Sequence, residues 1–494
     1  MHLSIEEIAE FCAGVIEAPG ALDAMATGVT WDSREVKTGD LYVAIPGNRV
    51  DGHDFATAAC DAGAVAVLVS HDLDEAVMEK LHFASCAVVK VADTAQALVD
   101  LARGWRGCIA GSVVGITGSS GKTTTKNLVR DVLASAMDVT ATKANQNNEL
   151  GVPRTVLAAD EDTDAVVVEM GMRGEGQIAA LCSFVRPDMG LVTNVGTSHI
   201  ELLGSRENIA LAKGELLDAL PAGGIAFLNA EDDYTHFLME ELQLDDRGVR
   251  TVFYAGNDDF TNTGELGIFQ NADPFVWADA VSYDDEGRPT FTIHARHFEE
   301  MGLPEVNGDM ECTLQLRGAH NVTNACAATA VGLAMGMSLS QCCAALAKAE
   351  PERGRQQVLR IEPGITVVDD SYNANPDSMK AALTMFASMD VPGKRIAVLG
   401  DMGELGDYSE KGHAQVGSIA AKSGLDALIC VGTKARGIAQ AAREAGFPAD
   451  AITEVKTAHD AVPVVRAMLG EGDAVLAKAS HSMELNRVVE GLMA

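Results

Sequence analysis

Short, largely apolar runs alternate with segments of helical spacing along most of the chain. Residues 112–117 (SVVGIT), 165–171 (AVVVEMG) and 189–196 (MGLVTNVG) are runs of this kind, which is typical of strands buried on both faces of a parallel sheet. A second series begins near residue 337 and continues to residues 473–480 (DAVLAKAS). This alternation of strand and helix predicts an α/β fold with helices on both faces of parallel sheets.

Length and pattern together predict three domains. The chain has 494 residues, which corresponds to about three domains of roughly 150 residues each. From changes in the pattern we expect domains at residues 1–108, 109–335 and 336–494. Residues 250–316 are richer in Gly, Asp and Thr and alternate polar with apolar positions, as in PTFTIHARHF, so we expect an antiparallel addition there.

The charge balance excludes a general nucleic-acid-binding protein. Apolar residues make up 47% of the chain, enough for several packed cores, and 37 Lys and Arg stand against 71 Asp and Glu, for a formal net charge of −34. A nucleic-acid backbone requires a basic protein surface, which this chain does not offer. The acidity is explained either by solubility, the interpretation we favour, or by a cationic partner.

The chain is expected to work in the cytoplasm without inserting into a membrane. Its first residues, MHLSIEEIAEFCAGVIE, carry glutamates and lack the basic start and apolar stretch of a signal peptide. No window reaches the ~18 uninterrupted apolar residues of a membrane span. Ten cysteines are scattered without a C-x-x-C pair, which fits a reducing compartment better than a disulfide framework or a structural zinc site.

A glycine loop supplies the first candidate chemistry. TGSSGKT follows an apolar strand and opens a helix, the setting that favours a phosphate-binding loop over a flexible turn. Backbone N–H groups can hold phosphate oxygens, Lys122 can reach the terminal phosphates and Thr123 can hold Mg²⁺. Position 116 is Ile, where the general form of the motif has its first glycine. The candidate ATP-binding residues here are Thr117, Gly118, Ser119, Ser120, Gly121, Lys122, Thr123 and Thr124.

Two further candidates follow neighbouring strands. Glu169 ends one apolar run and His199 lies just past the next. Because ligands of parallel sheets gather at the carboxyl ends of the strands, both side chains are expected at the edge that carries the glycine loop. There they can hold a metal or position a water, whereas a surface acid and a structural histidine are the alternatives.

Lys213 has an unusual position. Its helix carries an apolar face that runs from Ile209 to Leu220, and Lys213 lies within that face. A lysine there must extend its amine to solvent, pair with an anion or be chemically changed. Extension is the usual outcome, but a carbamate formed with CO₂ would make the group an anion that can face a metal.

Polar groups also gather at the start of later elements. Asn321 and Asn324 open a helix of small residues, where amides suit a base or a ribose, with helix capping as the alternative. Arg355 and Asp370 bracket the first strand of the last domain, and arginine is a natural phosphate clamp. The loop 371–375 holds more hydrogen-bonding groups than a plain strand–turn–helix connection requires.

Residues 30–55 concentrate Arg34, Lys37 and Arg49 in an acidic protein. We interpret this segment as a site for an anionic ligand, with a solvated loop as the alternative.

Together these segments resemble the Mur ligases, the ATP-dependent amide-forming enzymes of peptidoglycan precursor synthesis. The resemblance covers nearly the whole chain and rests on GITGSSGKTTTKNL, NQNNELGVPRTVL, EMGMRGEGQI, TNVGTSHIELLGSRENIALAKGELL, GAHNVTNACAA, GR at 354–355 and DDSYNANPDSM. The glycine loop of the family has the form T-G-x-x-G-K-T, which accounts for the missing first glycine. The resemblance implies a small α/β nucleotide-sugar domain, a central P-loop domain with a parallel sheet, and a Rossmann-like third domain that binds the incoming dipeptide and closes on ATP.

The resemblance also implies roles for single residues. It assigns Lys122 to the ATP phosphates and Thr123, Glu169 and His199 to Mg²⁺, with two ions expected. Lys213 matches the lysine that is carbamylated in several members and supports the second metal. The expected catalytic residues are Lys122, His199, Lys213, Arg355 and Asp370. The further ATP contacts are Asn321, Asn324, Arg355 and Asp370. The expected substrate contacts are Ser33, Arg34, Asn147, Asn148, Tyr372, Asn373 and Asn375.

The implied reaction joins an amine to a peptide carboxylate that ATP has activated. NNELGVP, SYNANPDSM and DSREVKTGDLYVAIPGNRVDGHDF most resemble the members that act on UDP-N-acetylmuramoyl-tripeptide and D-alanyl-D-alanine, which are therefore the expected substrates of a monomeric enzyme. Asp377 stands where the diaminopimelate-adding members have an arginine, so diaminopimelate is not the expected incoming amine. A ligase with another acceptor, such as a folate polyglutamate ligase, and a nucleotide-gated binding protein remain alternatives. The third residue of the peptide, lysine or diaminopimelate, stays open.

Overall fold

The computed structural model describes residues 1–47, 49–257 and 273–494. The first domain is a small α/β unit. Its strands are β1 (Leu3–Ser4), β2 (Val15–Ala18), β3 (Met25–Ala26), β4 (Gly28–Thr30), β5 (Asp40–Val43), β6 (Ala66–Val69) and β7 (Ala87–Lys90), and its helices are α1 (Ile5–Phe11), α2 (Ala56–Asp61), α3 (Glu75–Phe83) and α4 (Thr94–Arg106). Strands β4 to β7 are parallel neighbours, β2 pairs antiparallel with β7, and β1 pairs separately with β3.

The central domain is built on one long sheet. Its strands are β8 (Ser112–Thr117), β9 (Val139–Ala141), β10 (Ala165–Glu169), β11 (Met189–Val192), β12 (Ile225–Asn229), β13 (Arg250–Ala255), β14 (Phe275–Tyr283), β15 (Pro289–Arg296) and β16 (Gly308–Thr313). Its helices are α5 (Lys122–Ala134), α6 (Gly151–Leu157), α7 (Gln177–Val185), α8 (Ile200–Leu203), α9 (Arg206–Asp218), α10 (Thr235–Glu241), α11 (Ala319–Ala334) and α12 (Leu339–Leu346). The order β9–β10–β8–β11–β12–β13–β14–β15–β16 puts β8 where the chain changes direction across the sheet, the place where α/β sheets bind ligands.

Burial on both faces explains why the apolar runs became strands. Residues 165–168 of β10 are fully buried, because helices cover the sheet on each side. The antiparallel prediction was correct for β14, β15 and β16 but wrong for β13, which is parallel to β12 and to β14. Residues 258–272 of that segment lie outside the described residues.

The third domain is a Rossmann-like unit. Its strands are β17 (Gln357–Ile361), β18 (Ile365–Asp369), β19 (Arg395–Gly400), β20 (Ala427–Val431), β21 (Ile452–Val455) and β22 (Ala474–Lys478), and its helices are α13 (Pro376–Ser388), α14 (Ser409–Ala420), α15 (Arg436–Glu444), α16 (Ala458–Met468) and α17 (Asn486–Met493). The order β17–β18–β22–β19–β20–β21 is parallel except for β17 at the edge. Sequence reasoning had not anticipated the two edge strands, β17 and β21.

Contacts between elements show where the domains meet. Helix α12 packs on α5, α11 and β16, so it belongs with the central core although our division at residue 336 placed it in the third domain. Helix α4 packs on α6 and α7, and Nε1 of its buried Trp105 donates a hydrogen bond to the carbonyl of Ala159 at 2.8 Å. Over the described ranges, no helix is long and apolar enough to cross a bilayer.

Candidate active site

A cleft of about 1220 Å³ opens where the carboxyl ends of β8, β10 and β11 face the third domain. Cationic side chains gather there in an otherwise acidic chain. They are Lys122, Arg173, Lys213, Arg317, Arg355 and Lys478. Eight carboxylates line the same cleft, so these cations offset the surrounding acidity and do not give the lining a net positive charge. The carboxylates are those of Glu149, Glu169, Glu231, Glu350, Glu352, Asp370, Asp377 and Glu404.

The glycine loop joins β8 to α5 and is held from the next strand. The backbone N–H groups of Ser119 and Ser120 donate to the carbonyl and the Oδ1 of Asn194, each at 3.0 Å. Gly118 has φ +150°, and a Cβ there would lie 1.8 Å from Oγ1 of Thr193, so only glycine fits. The N-cap residue Gly121 makes no side-chain capping bond, which leaves the positive end of α5 available to phosphate.

Lys122 and Thr123 begin α5 and face into the cleft. Nζ of Lys122 donates to the Gly118 carbonyl at 2.7 Å, and burial lowers the pKa of this lysine. Oγ1 of Thr123 donates to Oε1 of Glu169 at 3.2 Å. The loop therefore brings a cation and a hydroxyl to the start of one helix.

Glu169 has the properties of a metal ligand. It is 1% exposed, and Nδ2 of Asn147 donates to its Oε1 at 2.8 Å. Its other oxygen, Oε2, is buried without a hydrogen-bond partner among the described residues. Because a buried carboxylate oxygen is costly to leave unpaired, and because hard oxygen donors suit Mg²⁺, Glu169 and Thr123 fit such an ion.

Lys213 is 1% exposed on α9, so its amine does not extend to solvent. Burial, with the positive charge of Lys122 as a second cause, holds the pKa of Lys213 well below its usual value. Within the part of the chain that the structure describes, no carboxylate pairs with it. Burial therefore favours the neutral, nucleophilic form of the amine.

His199 lies beside a residue from the third domain. Its Nδ1 is 2.7 Å from Oε2 of Glu404, although the ring N–H does not point along a linear hydrogen bond. The contact with His199 lowers the pKa of the Glu404 carboxyl. The imidazole thus reaches the same cleft as Glu169 and Lys213.

The third domain contributes Arg355 and a buried ion pair. Nη2 of Arg355 donates to Oγ1 of Thr123 at 3.2 Å, and its guanidinium lies over the Tyr372 ring, 3.9 Å from the centroid. Asp370 pairs with Lys478 at 2.8 Å. Burial raises the pKa of Asp370 and lowers that of Lys478, and each charge partly offsets the shift of the other.

Asn321 and Asn324 line the cleft, but their amides join two helices. Asn324 Nδ2 donates to Asn321 Oδ1 at 2.9 Å, and Asn324 Oδ1 accepts from Thr125 Oγ1 on α5 at 3.1 Å. Asn321 Nδ2 donates to the carbonyl of Arg317 at 2.7 Å. The bond from Thr125 links α11 to the glycine-loop helix, and the other two bonds hold the Asn324 and Asn321 amides in place at the start of α11.

The predicted substrate contacts divide between two loops. Oδ1 of Asn148 accepts a hydrogen bond at 3.0 Å from the N–H of Gly151, the first residue of α6. Asn375 caps α13 and also donates from Nδ2 to Oγ of Ser198 at 2.5 Å, across the domain boundary. The carbonyl of Asn373 accepts from Nζ of Lys478 at 2.9 Å.

Ser33 and Arg34 lie away from this cleft, on the first domain. The Arg34 side chain is 87% exposed and forms two hydrogen bonds with Asp32, so a neighbouring acid offsets its charge. The same loop docks on α6, where Arg154 pairs with Glu35 at 3.0 Å and lies over the Trp31 ring.

A separate cluster of Asp51, His53 and His71 has metal-ligand side chains, but its hydrogen bonds argue against a metal. Nε2 of His53 accepts from the N–H of Ser70 at 2.8 Å, so the ring proton sits on Nδ1 and faces Asp51 at 2.6 Å. Both nitrogens of His53 are therefore already engaged.

The structure brings most of the predicted residues into one cleft. Those that line it are residues 118–124, Asn147, Asn148, Glu169, His199, Lys213, Asn321, Asn324, Arg355, Asp370, Tyr372, Asn373 and Asn375. Thr117 does not line it, because its hydroxyl donates to the Met170 carbonyl at 3.0 Å. Sequence reasoning missed Asn194, Glu404 and Lys478. Asn194 and Lys478 follow or end apolar runs, the signal that had selected Glu169.

Three family models match the chain. They are described as Mur ligase family, catalytic domain (residues 26–106), Mur ligase middle domain (residues 116–332) and Mur ligase, glutamate ligase domain (residues 354–481). A curated UDP-N-acetylmuramoyl-tripeptide–D-alanyl-D-alanine ligase from Mycobacterium tuberculosis (strain ATCC 25618 / H37Rv) is 37% identical over 534 residues, covering 100% of this chain and 98% of that protein. The chain belongs to the Mur ligase family.

Solved structures agree with the fold of this Mur ligase. MurF from Acinetobacter baumannii matches with a TM-score of 0.82 and 27% identity, over 100% of this chain and 99% of that one. The MurF ligase from Thermotoga maritima in complex with ADP matches with a TM-score of 0.73 and 27% identity, over 94% of this chain and 97% of that one. The predicted α/β fold and the predicted family are both confirmed.

Proposed function

We propose that this Mur ligase uses ATP to add D-alanyl-D-alanine to the carboxyl end of UDP-N-acetylmuramoyl-tripeptide, giving the UDP-linked pentapeptide, ADP and phosphate. The observation that carries the proposal is the 37% identity, over 100% of this chain, to the UDP-N-acetylmuramoyl-tripeptide–D-alanyl-D-alanine ligase of Mycobacterium tuberculosis. The meeting of the glycine loop, Glu169 and Arg355 in one cleft supports it. We further propose a cytoplasmic monomer, since one chain assembles the cleft and all ten cysteines are free thiols.

The nucleotide would bind at the start of α5. The free helix end and Lys122 supply positive charge for its phosphates, and Arg355 adds a guanidinium from the third domain. The stacking of Arg355 on Tyr372 holds the guanidinium in place before the substrate arrives.

Two Mg²⁺ ions would complete the site. Thr123 and Glu169 would hold one, and His199 with a carbamate on Lys213 would support the other. The unpartnered Oε2 of Glu169 favours the first assignment. When bound, the ions would neutralise charge on the phosphates.

Burial favours the neutral form of Lys213, the form that reacts with CO₂, so this lysine suits carbamate formation. Its nitrogen would attack the carbon of CO₂, an N–C bond would form as one C=O π bond opens to place negative charge on oxygen, and the nitrogen would lose a proton to solvent. Lys122, which disfavours the ammonium form of Lys213, would favour the resulting anion.

The first chemical step would activate the tripeptide. An oxygen of its terminal carboxylate would attack the γ-phosphorus of ATP, and the bond to the bridging oxygen would break, with ADP leaving on that electron pair. An acyl phosphate would result. Catalysis would consist mainly of positioning and charge neutralisation by Lys122 and Arg355.

The second step would form the amide. The amine of D-alanyl-D-alanine would attack the acyl carbon, the bond to phosphate oxygen would break, and the nitrogen would lose a proton. Water would destroy the intermediate, so the site must be covered. The hydrogen bonds of Asn375 with Ser198 and of Arg355 with Thr123 support a covering role for the third domain.

A phosphate-release assay across UDP-muramoyl peptides and amines tests the proposal. We expect release only when UDP-N-acetylmuramoyl-tripeptide, D-alanyl-D-alanine and MgATP are all present. Release with UDP-N-acetylmuramoyl-dipeptide instead of the tripeptide would identify a ligase with another acceptor. Release with diaminopimelate instead of D-alanyl-D-alanine would do the same. ATP binding without release under any combination would indicate a nucleotide-gated binding protein.

A further inference from the structure

Two residues with left-handed backbone meet where the third domain contacts the central one. His199, at the start of α8, has φ +65°, and Glu404, in the loop after β19, has φ +58°. Residues other than glycine rarely adopt this conformation, and such residues cluster at functional sites. Here the two unusual conformations present one imidazole and one carboxylate to each other at 2.7 Å.

The third domain holds Glu404 on a rigid loop. The N–H of Met402 donates to Nε2 of His413 at 3.0 Å, and the N–H of Gly403 donates to Oγ of Ser480 at 2.7 Å. Met402 and Leu405, on either side, are 0% and 1% exposed. The third domain therefore holds the backbone on the N-terminal side of Glu404, while the Glu404 carboxylate is 44% exposed and also lies 3.5 Å from Nε of Arg173.

The central domain ties the His199 loop to the glycine loop. Oγ of Ser198 donates to the carbonyl of Ser119 at 3.1 Å, and the N–H of Gly196 donates to Oγ of Ser119 at 2.8 Å. A shift of the His199 loop would thus disturb the phosphate-binding loop. With Nδ1 facing Glu404, the Nε2 side of the ring is left for a ligand.

We propose that Glu404 is a positioning residue that orients His199 toward a divalent cation when the third domain closes, so that closure and cation binding favour each other. The inference rests on the metal-binding role of His199 in the proposed function. A carboxylate that accepts the distal ring N–H is the usual support of a metal-bound histidine. Because this carboxylate belongs to another domain, the support exists only in the closed arrangement, and the coupling must be reciprocal.

Mn²⁺ with ADP tests the coupling without turnover. Electron spin-echo spectroscopy detects nitrogen bound to Mn²⁺, and titration of the free-ion signal gives the affinity. In the parent protein we expect a nitrogen signal that His199→Ala removes. Glu404→Ala should weaken the signal and lower Mn²⁺ affinity by about 10-fold to 100-fold. Glu404→Gln, which keeps an oxygen acceptor, should lose less, and Glu410→Ala, an exposed acid on α14, should lose nothing.

The outcomes separate the two proposals. A parent protein without a nitrogen signal would overturn the metal role of His199 and the inference with it. A nitrogen signal and an affinity that both Glu404 variants leave unchanged would overturn the inference alone. Small-angle scattering supplies a second readout, since Mn²⁺ with ADP should favour the closed form in the parent protein and fail to do so in Glu404→Ala.

Discussion

Replacing Lys213 by methionine removes a buried amine while keeping an unbranched chain of similar length. Lys213 is 1% exposed, and burial holds its pKa well below the usual 10.5. In the unfolded chain the same amine has its ordinary pKa. At a pH between the folded-state pKa and the unfolded-state pKa, the unfolded state therefore binds up to one more proton than the folded state. Raising the pH in that window therefore stabilises the folded parent protein.

The size of the effect follows from a single proton. One pKa unit corresponds to about 1.4 kcal/mol, so the free energy of opening the parent protein should rise by up to about 1.4 kcal/mol per pH unit relative to Lys213→Met. In helix α9, the amide protection factors of the parent protein, divided by those of Lys213→Met, should therefore rise by up to roughly tenfold per pH unit. Hydrogen exchange read by mass spectrometry on the α9 peptide avoids treating a three-domain chain as two-state.

The comparison is made in CO₂-free buffer at pH 8 and pH 9, because carbamate formation would replace the neutral amine by an anion. Adding bicarbonate should then raise protection in the parent protein and leave Lys213→Met unchanged, since only the former binds CO₂. A protection difference that stays constant between the two pH values would refute the claim that burial lowers the pKa of Lys213.

Three further expectations concern the cleft. Asn324→Ala should lower the free energy of opening of α11 by about 1–3 kcal/mol because two buried partners lose their bonds; a higher KM for ATP with unchanged hydrogen exchange in the α11 peptide would contradict a packing role. Asp370→Ala should lower the free energy of opening of the third domain by about 3–5 kcal/mol by leaving Lys478 buried without its ion-pair partner, and adding Lys478→Met should recover part of that loss; additive losses, read by hydrogen exchange in the β18 and β22 peptides, would argue against the pair. Glu169→Gln should abolish tight Mn²⁺ binding in the presence of ADP while the circular dichroism spectrum is kept; unchanged affinity by calorimetry would remove Glu169 from the metal site.

Local pattern was sufficient for the parts of the fold that depend on neighbours in sequence. The apolar run at residues 112–117 became β8 with the same bounds, and the helix after the glycine loop begins at Lys122. Glu169 could be selected because it ends a buried strand beside β8, and parallel strands bring their carboxyl ends to one edge.

Long-range packing decided the features that pattern could not supply. Asn324 bonds to Thr125, which lies 199 residues away, so no local signal distinguishes a packing amide from a ligand contact. The helix Leu339–Leu346 follows the predicted boundary at residue 336, yet its apolar face is covered by the central domain. Strand Gln357–Ile361 lies at a sheet edge and is only partly buried, which weakens its apolar pattern.

Charge partners divide into local and long-range pairs. The basic segment at residues 30–55 suggested an anion site, although Asp32, two residues away in the sequence, offsets the charge of Arg34. Glu404, in contrast, meets His199 across a domain boundary. Only this second pairing depends on the arrangement of whole domains, which periodicity does not encode.

The central claim is that ATP activates a peptide carboxylate as an acyl phosphate, and oxygen tracing tests it most directly. UDP-N-acetylmuramoyl-tripeptide labelled with ¹⁸O in its terminal carboxylate would be incubated with MgATP, D-alanyl-D-alanine and the enzyme, and the released phosphate analysed by mass spectrometry. The account predicts that one ¹⁸O atom is transferred to each phosphate as the pentapeptide forms. Pentapeptide formation with unlabelled phosphate would contradict it.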